Sequence, residues 1–136
     1  MVPRAGRTLR AQQFTAMSTP APLVSLHPYF KVHSGQLEAA AALLREFVAR
    51  TQSEERMRYY EFTLNGDLVF CREAYVGAAG VLAHLTNVGD LLDRMLKLSE
   101  LIRLEVHGPA GELDQLRGPL GGLKAEWFAY QCGIAR

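Results

Sequence analysis

Residues 67–84 read Asp67-Leu68-Val69-Phe70-Cys71-Arg72-Glu73-Ala74-Tyr75-Val76-Gly77-Ala78-Ala79-Gly80-Val81-Leu82-Ala83-His84. The first nine read as a strand that turns at once into a helix. Glu73 and Tyr75 are two apart, so they project from one face of that strand. His84 follows one helical segment later and can fold back over it. A carboxylate, a phenol and an imidazole are thereby brought to one place. Leu68 and Phe70 lie on one face of the strand, Val69 and Cys71 on the other. A strand apolar on both faces is covered on both. The chain has too few helices to cover both, and that mismatch guides the reading of the fold.

Upstream, Asn65-Gly66-Asp67 is a hairpin signal, since Asn and Gly both accept positive φ. It joins residues 67–75 to a strand over 57–64 that is rich in aromatics (Tyr59, Tyr60, Phe62). Residues 53–56 are a polar connection. Residues 36–51 show an apolar stripe of Leu37, Ala40, Ala41, Leu44, Phe47, Val48 and Thr51 at helical spacing. Ser34 is the expected N-cap, and Glu46 and Arg50 have the spacing of a favourable pair. Residues 23–32 form the first strand, with Val24, Leu26, Pro28, Phe30 and Val32 on one face and Ser25, His27, Tyr29 and Lys31 on the other. Pro28 donates no hydrogen bond, which implies an edge strand or a bulge. Residues 1–22 lack a period and read as a disordered leader. Within it, Met17-Ser18-Thr19-Pro20 looks like a natural start.

Downstream, the spacing predicts a helix over 77–86, an interruption at Asn87-Val88-Gly89, and a second helix over 91–99 capped by Asp90. Residues 101–107 form the fourth strand. Ile102, Leu104 and Val106 face one way, and Arg103, Glu105 and His107 the other. A short helix over 110–117, a flexible turn over 118–122 and an extended aromatic piece over 126–131 complete the chain. The aromatic end implies docking, on this chain or on a partner.

This order is the ferredoxin-like βαββαβ unit, an α+β fold with a four-stranded antiparallel sheet and both helices on one face. Its first and fourth strands are expected on the outside, so His27 and His107 need not be neighbours. The bare face calls for a cover, and a second copy related by two-fold symmetry is the simplest one. The expectation is therefore a homodimer that closes an α+β barrel. The domain spans 23–108, and 109–136 is a C-terminal extension.

Composition narrows the function. The chain is 49% hydrophobic, with a formal net charge of +1. That balance gives no electrostatic case for nucleic acid or an anionic membrane. No stretch has the apolar run of a secretory signal or membrane span, so a cytoplasmic protein is expected. Cys71 and Cys132 lack CxxC spacing, and Cys71 reads as a buried free thiol. No pair of the four histidines has metal-ligand spacing, and no cofactor fingerprint is present.

Tyr59-Tyr60-Glu61-Phe62, Asn65-Gly66-Asp67, Arg72-Glu73-Ala74-Tyr75 and His84 together resemble the antibiotic biosynthesis monooxygenase family of dimeric α+β barrels. Members often show Glu-x-Trp or Glu-x-Tyr ending a strand, then an Ala-rich helix with a His near its end. Glu73, Tyr75 and His84 match those positions, and Tyr60 matches an aromatic preceding the hairpin. The likeness covers residues 23–107. It implies oxidation of an electron-rich aromatic, such as a quinol or polyketide anthrone, by O₂ without metal or flavin. His84 and Glu73 are then the catalytic candidates. Tyr60, Tyr75, His27 and His107 are the substrate-binding candidates. Histidine as a residue type suits the role of base for a phenolic proton.

Two other readings stand beside this one. Glu73 and His84 can be a structural pair in a barrel that binds a small molecule or assembles without turnover. A haem-degrading relative, with His84 or His107 as ligand, is the less favoured alternative. His33, in a turn, reads as solvated.

Overall fold

The computed structural model describes residues 22–136. The leader expected over 1–22 lies outside the described residues except for Pro22, whose carbonyl accepts the Gly77 N–H at 2.7 Å. The described chain runs β1 (Leu23–Val32), α1 (Leu37–Thr51), β2 (Met57–Asn65), β3 (Leu68–Val76), α2 (Gly77–Leu98), β4 (Ser99–Gly108), α3 (Ala110–Leu116), a 3₁₀ turn (Gly121–Leu123) and β5 (Glu126–Ala129). The strands form one five-stranded sheet in the order β2-β3-β1-β4-β5. The four-strand expectation is thus corrected. The aromatic end docks on this chain as β5, parallel to β4, with Trp127 opposite Val106 and Phe128 opposite His107. α3 supplies the crossover that a parallel neighbour needs.

β1 is an interior strand between β3 and β4, not an outer one. Ser25 pairs with His107 and His27 with Glu105. His27 and His107 are therefore neighbours, with ring centroids 4.6 Å apart. Pro28 is accommodated because the β1–β3 pairing passes from Leu26↔Glu73 to Tyr29↔Phe70 without engaging it. The register against β4 shifts between Tyr29 and Phe30, where Ile102 is the unpaired residue of β4. This bulge leaves Ile102 49% exposed, while Leu104 and Val106 stay buried.

The hairpin loop is Gly66-Asp67, with Asn65 still paired to Leu68. Gly66 alone has positive φ (+62°), so the loop has the type II′ pattern, with Gly first, instead of an Asn-Gly type I′ loop. α1 begins after Gln36 with no side-chain cap, so Ser34 does not cap it. Glu46 and Arg50 each pair across to α2, with Arg94 and Asp90 respectively. α2 is one continuous helix where two were expected. Its buried face (Gly77, Ala78, Gly80, Val81, His84, Val88, Leu91, Met95) runs unbroken past Gly89. Asp90 serves as a partner to Arg50 inside that helix.

The core has two buried clusters on the helix side of the sheet. Val24, Leu26, Tyr75, Val81, Leu104, Val106, Leu113, Leu116 and Leu120 form one. Phe30, Val32, Leu43, Phe47, Val69, Val88, Leu91 and Met95 form the other. The extension thus contributes to the core directly. The opposite face carries aromatics in a run, Tyr29–Phe70–His27–His107–Phe128, with consecutive centroids 4.4–6.1 Å apart. Flanking it are the pairs Arg72–Glu61, Arg103–Glu105 and Arg103–Glu126. Among the described residues, no helix is long and apolar enough to cross a membrane.

Candidate functional site

The site lies between the two core clusters. A cavity there has a volume of about 60 Å³. Its walls are mostly aliphatic, including Leu26, Leu44, Leu92, Leu104, Leu120 and Leu123. The polar groups that line it are Tyr60, Cys71, Glu73 and His84.

Local structure explains why these groups meet. Tyr60 stands opposite Glu73 in the β2–β3 ladder, so both point to the helix side. β3 turns into α2 at Gly77, whose φ is +71°, a conformation open to glycine. The new helix presses on the strand it has just left. A Cβ at Gly80 would lie 2.8 Å from the Tyr75 Cβ, so only glycine permits that approach. One turn further on, His84 points into the sheet. Its ring centroid lies 4.8 Å from that of Tyr75 and 5.1 Å from that of Tyr60.

The hydrogen bonds form a chain. The Tyr75 hydroxyl donates to Glu73 Oε1 at 2.7 Å. His84 Nε2 lies 3.5 Å from the same oxygen, too long for a good hydrogen bond. His84 Nδ1 lies 2.9 Å from Glu54 Oε2 and 3.2 Å from Oε1. The Asn87 side-chain amide donates to Glu54 Oε2 at 2.8 Å and to the Arg50 carbonyl at 3.1 Å. Glu73 and His84 are 4% and 3% exposed, so this end of the network is enclosed.

Burial governs the electrostatics. It pushes the Glu73 carboxyl above the ordinary 4.5, with His84 and the Tyr75 hydroxyl pulling the other way. Burial and then the Glu73 charge raise the Tyr75, Tyr60 and Cys71 groups as well. The phenols and the thiol therefore stay protonated, and Cys71 is no thiolate nucleophile. Cys71 is a buried free cysteine and Cys132 an exposed one.

The sequence-predicted residues divide into three groups. Glu73, His84 and Tyr60 line the cavity together. Tyr75 is fully buried behind Glu73, and its ring is not part of the cavity wall. His27 and His107 lie across the sheet on its open face, His27 on Ser25 Oγ at 2.8 Å and His107 on Glu105 Oε1 at 2.8 Å. Sequence reasoning missed Glu54, which sits in the turn before β2 and looks like one more polar loop residue. Among the described residues, no three His, Cys, Asp or Glu side chains are grouped to hold a metal ion.

No protein-family model and no curated protein matches the sequence. Solved structures do. MupZ from Pseudomonas fluorescens is 38% identical, with a TM-score of 0.81, over 85% of this chain and 95% of that one. A Chloroflexus aurantiacus protein assigned as an antibiotic biosynthesis monooxygenase is 20% identical, with a TM-score of 0.55, over 65% of this chain and 94% of that one. Another antibiotic biosynthesis monooxygenase is 14% identical, with a TM-score of 0.55, over 61% of this chain and 92% of that one. At these last two identities the likeness is one of fold. With 38% identity over most of both chains, the protein belongs to the same family as MupZ, and it carries the fold of the antibiotic biosynthesis monooxygenases.

Proposed function

We propose that the protein is an enzyme that moves a proton on a largely apolar small molecule held between sheet and helices. His84 is the base, and Glu73 is the acid beside it. The observation that carries this reading is the paired exposure of His84 and Glu73 to an otherwise greasy cavity. A base beside a carboxyl whose protonated form burial favours is a usual arrangement for general acid–base catalysis.

The monooxygenase fold gives this chemistry its specific form. His84 removes the hydroxyl proton of a quinol- or polyketide-like aromatic. The resulting anion supplies the electrons to O₂, one oxygen atom entering the product and the other leaving as water. Tyr60 and the aliphatic walls hold the ring. The placement of the Glu73 carboxyl 3.5 Å from His84 Nε2 also suits a second form, a redox-neutral proton transfer such as an addition or isomerisation, in which Glu73 gives a proton to an oxygen as His84 takes one. The open sheet face, with its aromatic run, is proposed as the contact with a second copy that closes the barrel.

The test is O₂ uptake with a hydroquinone panel, comparing the protein with His84→Ala. Turnover that needs O₂ and is lost in the variant supports the oxygenase. Turnover that persists without O₂ supports the redox-neutral form. Binding without turnover, with equal background rates for both proteins, makes this a binding module.

A further inference from the structure

We propose that Glu54 is a positioning residue that fixes which ring nitrogen of His84 faces the cavity, with Asn87 as its clamp. This rests on the reading of His84 as the group that handles a proton. It adds a residue from a different element, outside the strand–helix stretch that carries Glu73 and His84.

Asn87 stands one turn after His84 on α2, so both side chains reach the same neighbour. Its amide donates one hydrogen to the Arg50 carbonyl (3.1 Å) and the other to Glu54 Oε2 (2.8 Å). The Arg50 guanidinium in turn donates to the Asn87 backbone carbonyl at 3.0 Å and to both Asp90 oxygens at 2.6 and 3.3 Å. The Asn87 amide is thus oriented from both sides, and Glu54 Oε2 must be an acceptor.

The Glu54 carboxylate meets His84 Nδ1 with both oxygens, at 2.9 and 3.2 Å. A carboxylate only accepts, so Nδ1 carries the hydrogen. In the neutral ring Nε2 is then the bare lone pair. Nε2 is the atom turned toward Glu73, at a separation that leaves it unspent. With the opposite tautomer, His84 would offer the cavity a donor and could take no proton from a substrate. Glu54 thereby decides whether His84 faces the cavity as a base, as an outer carboxylate does for other oriented imidazoles.

The experiment uses the full chain with ¹⁵N-labelled histidine and reads the His84 tautomer from long-range ¹H–¹⁵N correlations of the neutral ring. The expected result is Nδ1–H in the unaltered protein. Glu54→Gln retains it, because the amide oxygen still accepts, and Glu54→Ala shifts the ring toward Nε2–H. An Nε2–H ring in the unaltered protein overturns the proposal, and that result needs no variant to fold. An unchanged tautomer in folded Glu54→Ala overturns it too. The readout is independent of turnover. A protein with the Nδ1–H ring and no activity on any substrate would remove the enzyme reading and leave the positioning role standing. Where there is turnover, Glu54→Ala lowers kcat by about 10- to 100-fold with little change in KM, the scale at which outer-shell partners act.

Discussion

The Nε2 atom of His84 lies 3.5 Å from Oε1 of Glu73, and that oxygen already accepts the Tyr75 hydroxyl at 2.7 Å. The acid is therefore held by the phenol behind it, and the base is held by Glu54. The two are placed side by side without being bound to one another. Burial favours the protonated form of Glu73, and the linkage follows directly. Its folded value is raised above the ordinary 4.5, so its stabilising share is complete below that pH and is lost as pH rises through the raised value. Glu73→Gln keeps an acceptor for Tyr75 and cannot ionise. Thermal unfolding followed by circular dichroism from acidic to alkaline pH should show the variant gaining on the unaltered protein as pH rises. Parallel curves would contradict this.

The start of α2 is tied to the extension. The Glu112 carboxylate accepts the Ala78 N–H at 2.8 Å, and α2 has neither a side-chain cap of its own nor an acidic residue in its first turn. Glu112→Ala should cost about 1 kcal/mol in urea unfolding, the usual worth of an N-terminal cap. Gly77→Ala should cost more than about 1 kcal/mol, because φ there is positive. Its new Cβ would also lie 2.7 Å from Glu112 Oε1. Combined with Glu112→Ala, the Gly77→Ala cost should shrink, since the close contact goes. Strict additivity would mean that the contact has no energetic weight.

The extension is part of the core. Leu113 and Leu116 are fully buried, and Leu120 and Leu123 wall the cavity. Leu113→Ala should destabilise by about 2–5 kcal/mol in chemical denaturation. A chain ended after Gly108 should lose cooperative unfolding altogether. A truncated chain that melts like the full one would show that α3 and β5 are accessories.

The open sheet face gives a prediction for association. His27 is held below the ordinary 6.5 by burial first, then by His107 and Arg72, with Glu105 opposing. A lowered histidine favours the state in which it is neutral. Its share is present above 6.5 and is lost as pH falls through the lowered value. If a second copy covers this face, light scattering should report a dimer at neutral pH that weakens in acid, as His27 takes up a proton on the covered face. Phe128→Glu should weaken it at neutral pH. A monomer under all conditions would remove the barrel proposal.

How much of this was legible in the sequence depends on the range of each relationship. The proximity of Glu73 and Tyr75 is local and follows from strand alternation. The fold of His84 back over them follows from a strand running straight into an apolar helix. Glu54 was not legible, since it meets His84 from 30 positions away and its neighbours are polar. Asn87 and Gly89 looked like a helix break. In the structure Asn87 spends its amide on Glu54 and Arg50, Gly89 has open space beside it, and one mid-helix glycine costs only about 1 kcal/mol against the buried stripe. β5 read correctly as an extended aromatic piece. Its parallel pairing with β4 depends on how α3 crosses over, which no local pattern encodes. The adjacency of His27 and His107 was missed because strand order was assigned with β1 and β4 both outside, whereas both are interior.

The most direct test of the account is kcat/KM for His84→Gln at neutral pH, on whichever substrate the unaltered protein turns over. Gln approximates the size of the ring and keeps polar contact with Glu54, but it cannot take up a proton. The account predicts a loss of about 10²–10⁴-fold with the fold intact by circular dichroism. A folded variant that works within about twofold of the unaltered protein would contradict it, because the proton would then be moving elsewhere.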